Sequence, residues 1–420
     1  MLRNIKYKRK KADSLNILLI GNGFDLAHEL PTKYTTFLTV CDIISGIYTN
    51  KPNTYLIRKL SLIENYKDMY ELLKKLIEAR DIPDDKIDSS DNKISELYEN
   101  INGNFWFAYF VRNNPPKRDY WIDFETEISN VIQKLDAVYR GFGCENTLSD
   151  EVTQLKSVWL RCKDKSSFKD KVDFDQLICD LKEDLRRLIR AFEIYLVTFV
   201  EHIELSKKQT LPVIKDINPD YVLSFNYTHT YQKMYDHLSE KIIKYDYIHG
   251  EACIDNNLDT DNMVLGIGEY LSEEEKDTRL EFLEFKKYFQ RIFKKTGNKY
   301  LGWINQIHQA NDKYKNQYSI YENKYQALTN KRTSLAEYSQ IDIRPEKPPF
   351  QLYIFGHSLD VTDGDIIKQF LDIENLTTTI FYLDQKDMKE KIRNLITIIG
   401  QDKLIAKTGN KSIVFREIPN

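Results

Sequence analysis

The sequence predicts an α/β fold: a doubly wound parallel sheet interrupted by large α-helical insertions. Three observations point there. Short continuous apolar runs recur along the chain, and most are followed by Gly, Asn, Asp, Ser or Thr, the residues of strand-to-helix turns and helix N-caps. The last third alternates strand-like and helix-like segments without a break. Elsewhere the pattern is helical, and the 420 residues include only 15 Gly and 11 Pro, too few for a turn-rich all-β fold.

The first run, 16–21 (Asn-Ile-Leu-Leu-Ile-Gly), is apolar without alternation, as a strand buried on both faces requires. Further runs lie at 221–225, 245–248, 262–267, 350–355, 377–383 and 411–417. A helix is expected from near Asp363. Another is expected over 386–399, where Met388, Ile392, Leu395, Ile396 and Ile399 share one face. About two hundred residues of helical periodicity separate the first two strands, far beyond the usual strand-to-helix connection. Within them Leu177, Leu181, Leu185, Leu188, Phe192, Tyr195, Phe199 and Ile203 mark one long amphipathic helix. A second helical stretch, from about 274 to 330, carries Tyr314, Tyr318, Tyr321 and Tyr325 on one face. Packing in the core or on a partner helix is expected of that stripe, with stacking on nucleic-acid bases the alternative.

Length alone suggests roughly two to three domains, but the pattern favours insertions into one α/β domain. The division is a basic N-terminal tail (1–15), the first part of a Rossmann-like core (16–50) and a helical insertion (51–215). The middle part of the core (216–272), a second helical insertion (273–345) and the C-terminal part of the core (346–420) follow.

Lys and Arg number 61 against 64 Asp and Glu, a net charge of −3. That balance argues against a dedicated nucleic-acid binder, though not against a local basic patch. A hydrophobic share of 41% argues against disorder. Cys41, Cys144, Cys162, Cys179 and Cys253 stand at no metal-ligand spacing and read as reduced cytosolic thiols. No run approaches the roughly 18 apolar residues of a membrane span. The basic residues Lys6, Lys8, Arg9, Lys10 and Lys11 precede no apolar signal region. A cytoplasmic chain with no membrane partner is expected.

Four polar clusters close predicted strands, where the ligand crevice of an open parallel sheet lies. The first is Gly21-Asn22-Gly23-Phe24-Asp25, followed by Pro31 and Thr32. A glycine pair there suits a tight turn close to a phosphate. Leu26 takes the third position of the dinucleotide fingerprint, and no Walker loop follows. The alternative is a tight turn with Asp25 as a cap. The second is Ser224-Phe225-Asn226-Tyr227-Thr228-His229, where Asn226 holds either a water, a ribose hydroxyl or an Asx turn. The third, Ile248-His249-Gly250, offers a general base or a structural histidine. The fourth, Gly356-His357-Ser358-Leu359-Asp360, leads through Val361 and Thr362 to Asp363. It suits ribose or phosphate contact, or the capped start of the next helix.

Together the clusters resemble the sirtuin NAD-binding pattern. Gly21, Gly23, Pro31 and Thr32 hold the spacing of its opening glycines and its Pro-Thr. Gly356, Ser358, Leu359 and Val361 match its Gly-Thr-Ser-Leu-x-Val motif, and Asn226 and His249 look like its Asn and catalytic His. The bacteriophage abortive-infection AbiH family is a closer resemblance. Its Gly-Asn-Gly-Phe-Asp-Leu, Leu-Pro-Thr, Phe-Asn-Tyr-Thr, Ile-His-Gly and Gly-His-Ser-Leu motifs look like 21–26, 30–32, 225–228, 248–250 and 356–359. Trp121, Asp123 and Glu125 fit it as well.

The resemblance implies a phage-defence effector with a sirtuin-like nucleotide site, hydrolysing NAD or a related nucleotide. Asn226 and His249 are its expected catalytic pair. Gly21, Asn22, Gly23, Phe24, Asp25, Pro31, Thr32, Gly356, His357 and Ser358 are its expected nucleotide contacts. No zinc is expected, because the four-cysteine module of the deacylases has no counterpart; Glu29 replaces a glycine, Asp25 a serine. One alternative is a metal-dependent hydrolase or nuclease using Asp25, Asp123, Glu125, His229, His249, His357 and Asp363. Another is a non-catalytic nucleotide-regulated sensor. A phage-derived trigger or partner protein and self-association are compatible with either.

Overall fold

The computed structural model describes residues 14–79, 90–113, 123–140, 150–163, 174–205, 208–329 and 344–418. Trp121 and the basic tail residues Lys6 to Lys11 lie outside the described residues. Six strands make one sheet: β1 (Leu15–Ile20), β2 (Tyr221–Ser224), β3 (Lys244–Tyr247), β4 (Phe350–Phe355), β5 (Leu376–Tyr382) and β6 (Ile413–Glu417). Their order is β3-β2-β1-β4-β5-β6, and every pairing is parallel. This is a doubly wound α/β fold with helical insertions, as the sequence predicts.

The side chains of β1 alternate between two cores. Ile17 and Leu19 join Leu223, Leu352 and Ile354 on one face, covered by helices Tyr300–Thr329, Gly364–Leu371 and Gln385–Ile399. Leu18 and Ile20 join Val222, Phe355, Ile214, Tyr231 and Tyr235 on the other. Burial on both faces explains why the run shows no polar alternation. A third core belongs mainly to the helices between β1 and β2. There Trp106 and Phe110 pack under helices Tyr34–Tyr48, Phe124–Tyr139 and Phe174–Tyr195. The Phe124 ring lies between Tyr34 and Phe110, with centroids 4.1 and 4.2 Å away.

Three expectations are corrected. The run 262–267 is no strand: it is buried, but apart from one isolated bridge, Ile267 to Lys286, it pairs with no sheet. Its backbone is satisfied by the Gln290 amide, which takes both the N–H and the carbonyl of Leu265, and by the His249 carbonyl. The tyrosine stripe is not core. Only the first turns of its 30-residue helix dock on the sheet, through Tyr300, Trp303, Ile304 and Ile307. Beyond them the four tyrosines contact one another at 5.9 to 6.2 Å along the helix surface. The long helix also stops short of Ile203, ending at Tyr195 in a wide π turn over Leu196–Val200.

The chain leaves β1 for one side of the sheet and resumes at β4 on the other, so their carboxyl ends form the switch point where ligands bind in such sheets. The two loops touch there. Gly23 N–H donates to the Gly356 carbonyl at 2.7 Å, and Gly21 N–H to that of Phe355 at 3.2 Å. Gly356 has φ 68, and a Cβ on it would lie 2.2 Å from the Phe24 nitrogen. Gly302, in a helix with nothing within 4 Å of its would-be Cβ, serves as a control. Gly356→Ala is expected to lower unfolding free energy by about 2 kcal/mol or more through clash and a strained left-handed alanine. Gly302→Ala is expected to raise it by about 0.5–1 kcal/mol. Urea titration of both variants checks this.

Candidate functional site

A cavity of about 430 Å³ opens at the switch point, within the size range of small-molecule sites. Its wall brings together all four sequence clusters. Gly21, Asn22, Gly23, Asp25, Thr32, Asn226, His249, Gly356, His357 and Ser358 line it. Phe24 and Pro31 do not. Phe24 points into the core, against Tyr231, Tyr235 and Phe355, and the Pro31 carbonyl accepts the Tyr195 hydroxyl.

The glycine loop is built for packing. The N–H groups of Gly21, Gly23 and Phe24 are all spent on backbone carbonyls, so the expected phosphate cradle is not available from them. A Cβ at Gly21 or Gly23 would lie 2.8 Å from backbone atoms of the β4 loop. Glu29 holds φ 57, the left-handed conformation that glycine adopts most readily, at the position where the sirtuin pattern has glycine. Asn22 and Thr32 close the loop through a 2.6 Å hydrogen bond from the Thr32 hydroxyl.

His249 is held from behind. Its Nε2–H donates to Asp363 Oδ1 at 3.1 Å, and no hydrogen bond among the described residues engages its Nδ1. Burial lowers its pKa, with Asp363 opposing, so the ring is a neutral base near pH 7. His357 approaches the other Asp363 oxygen with Nε2 at 3.5 Å, while its Nδ1 accepts the Leu359 N–H. The Phe225 ring meets both histidines edge-on, at 5.4 and 4.3 Å. The buried Leu359 has φ 58, the kind of strain that clusters where side chains must be aimed.

Asp363 does not cap the helix it precedes; Lys287 takes it instead. Lys287 is 1% exposed, and its ammonium lies 2.9 Å from Asp363 Oδ1 and 2.6 Å from Glu125 Oε2. Thr362 bonds both Lys287 and Glu125. Burial alone would raise Asp363, but Lys287 and then His249 hold it well below the usual carboxylate range. Burial raises Glu125 to about 7, against Lys287. Lys287 is itself held above its ordinary value, because Asp363 and Glu125 outweigh its burial. The sequence reading did not find this lysine. Its one signal was position: it opens helix Lys287–Lys294 directly after the buried Phe285 and Lys286.

A second group of buried polar atoms lies where the short helix after β1, Asn22–Ala27, meets the loop of β2. Asp25, 1% exposed, accepts the Thr228 hydroxyl at Oδ2, 2.6 Å away, while its Oδ1 has no partner. Neither Oδ1 nor Nδ2 of Asn226 has a partner, though the residue is 4% exposed. The Asn226 backbone is fixed by its N–H to the Ser224 hydroxyl. Three unsatisfied polar atoms in one cavity wall are costly unless a ligand meets them. His229 lies apart, between Glu201 at 2.8 Å and Glu251 at 3.0 Å, and hydrogen bonds to both raise it to about 9. Among the described residues, no set of three or more His, Cys, Asp or Glu side chains is arranged to hold a metal ion.

Burial raises the Asp25 carboxyl to about 6, with the Thr228 hydrogen bond opposing. A carboxyl whose folded pKa lies above its unfolded value loses stability as pH rises through that range. Asp25→Asn is therefore expected to stabilise the fold at pH 7 by at most about 3 kcal/mol, and progressively less as pH falls towards 4. Chemical denaturation across that range checks it.

Among the described residues no helix is long and apolar enough to cross a membrane. No curated protein and no solved structure matches the chain. The family model described as "Bacteriophage abortive infection AbiH" matches residues 17–382. That span runs from β1 to the end of β5 and contains every cavity residue in the predicted clusters, so the chain belongs to the bacteriophage abortive-infection AbiH family.

Proposed function

We propose that this abortive-infection protein binds a nucleotide in the switch-point cavity and hydrolyses the N-glycosidic bond of NAD or a close relative. One observation carries the reading: an oriented neutral histidine, His249, shares the cavity with the unsatisfied Asn226 amide. A base and a water-holding amide are what glycosidic hydrolysis demands of the protein.

In that reaction the bond between the anomeric carbon and the ring nitrogen breaks. Its electron pair goes to the nitrogen, which neutralises the cationic ring, so no acid is needed for the leaving group. The anomeric carbon gains oxocarbenium character. Asn226 Oδ1 accepts a hydrogen bond from the attacking water and so places its oxygen lone pair. The new C–O bond forms as His249 Nδ1 takes the water's proton. Asp363 steadies the imidazolium, and Lys287 keeps Asp363 ionised to do so. Acidic side chains Asp25, Asp123 and Glu125 line the cavity and suit a cationic ring. Arg393, the one lysine or arginine among its described lining residues, precedes Asn394, whose amide donates to the Ser358 carbonyl, and suits the phosphates.

Purified protein, supplied with an extract of phage-infected cells as trigger, is expected to convert NAD to nicotinamide and ADP-ribose. His249→Ala and Asn226→Ala are each expected to lower the rate by about 100-fold or more. Intact turnover in both variants, or no turnover in the wild type, would overturn the reading. Because burial depresses His249, the acid limb of the pH–rate profile is expected to have its midpoint below 6.5. Lys287→Met is expected to lower kcat by about tenfold or more with the fold retained, as circular dichroism would verify.

A further inference from the structure

We infer that Asp25 and Asn226 together form a clamp for the 2′-hydroxyl of the reacting ribose, which restricts the site to ribonucleotides. The inference rests on the nucleotide reading above and deepens it.

The atoms without partners define what must be bound. Asp25 Oδ1 is an acceptor that lacks a donor, and Asn226 Nδ2 is a donor that lacks an acceptor. The Asn226 amide lies beside the Asp25 carboxyl and helps to hold its pKa down against burial, but the contact falls short of hydrogen-bond geometry and leaves Asp25 Oδ1 and Asn226 Nδ2 without a partner. A group that donates one hydrogen bond and accepts another would satisfy both, and a sugar hydroxyl does both. A phosphate does not fit, since it brings no donor and adds charge beside a buried carboxyl. Which hydroxyl is bound follows from the third atom. Asn226 Oδ1 holds the water that attacks the anomeric carbon, so Nδ2 of the same amide reaches the hydroxyl on the adjacent carbon, the 2′ position.

Both residues are anchored, Asp25 through its side chain and Asn226 through its backbone. Thr228 fixes the other Asp25 oxygen at 2.6 Å, Thr230 supports Thr228 at 3.1 Å, and Ser224 pins the Asn226 backbone. An anchored buried pair discriminates strongly, because an analogue lacking the hydroxyl leaves both partners desolvated and empty.

The test compares binding of NAD with that of NAD lacking the 2′-hydroxyl on its nicotinamide-bearing ribose, by calorimetry on the full chain. The wild type is expected to bind the deoxy compound about 10- to 100-fold more weakly. Asp25→Asn keeps the shape but neither the charge nor the strong acceptor, and is expected to narrow the ratio to about threefold. Thermal denaturation of that variant verifies its fold. Equal binding of both compounds by the wild type overturns the clamp and leaves the nucleotide reading standing. Unchanged discrimination in Asp25→Asn overturns the assignment to Asp25. Failure of the wild type to bind either compound overturns the nucleotide reading and the clamp with it.

Discussion

The site depends on one buried ammonium group. Lys287 joins three stretches of chain that are remote in sequence: Glu125 on a helix of the first insertion, Lys287 at the start of a helix in the second, and Asp363 after β4. Without that charge, two buried carboxylates would face each other in a low-dielectric wall, and at least one would be forced to protonate. Asp363 stays ionised because Lys287 is there, and His249 keeps its orientation because Asp363 is ionised. Buried ion pairs add little to stability for their desolvation cost, but breaking one strands a charge. Their value here is positional.

The sheet supplies the other constraint. The chain passes from β1 to β2 on one side of the sheet and to β4 on the other, so the β1 and β4 loops meet at the carboxyl ends of their strands. Their contact is close enough to require Gly21, Gly23 and Gly356. These glycines shape the cavity and leave its chemistry to side chains on the loops of β2, β3 and β4 and on the helices packed against them. Asp25 and Asn226 hold polar atoms ready at a cost in stability, the trade expected of a functional site.

Much of this was legible in the sequence. Strands buried on both faces announce themselves as unbroken apolar runs, and the polar residues after them mark the crevice: Asn226, His249 and His357 line one cavity. The helical insertions were visible as periodicity. The run 262–267 misled because burial and strand pairing leave the same apolar signature, and its backbone is satisfied by Gln290 instead. The tyrosine stripe is not core because the sheet ends before it; spacing reveals that a face exists but not how far along the helix the sheet extends. Phe24 was taken with its glycine neighbours, although helix geometry turns it into the core. Lys287 was hidden because a lysine ahead of a helix looks solvated until the fold brings two carboxylates to it.

The central claim is that a nucleotide is consumed in this cavity during phage defence. Its most direct measurement follows the nucleotide pools of infected cells by chromatography, with wild-type protein or Asn226→Ala present at equal levels. The account predicts that NAD falls after infection in wild-type cells and holds in the variant, with phage protection lost alongside. Protection by wild-type protein with every nucleotide pool unchanged would contradict it.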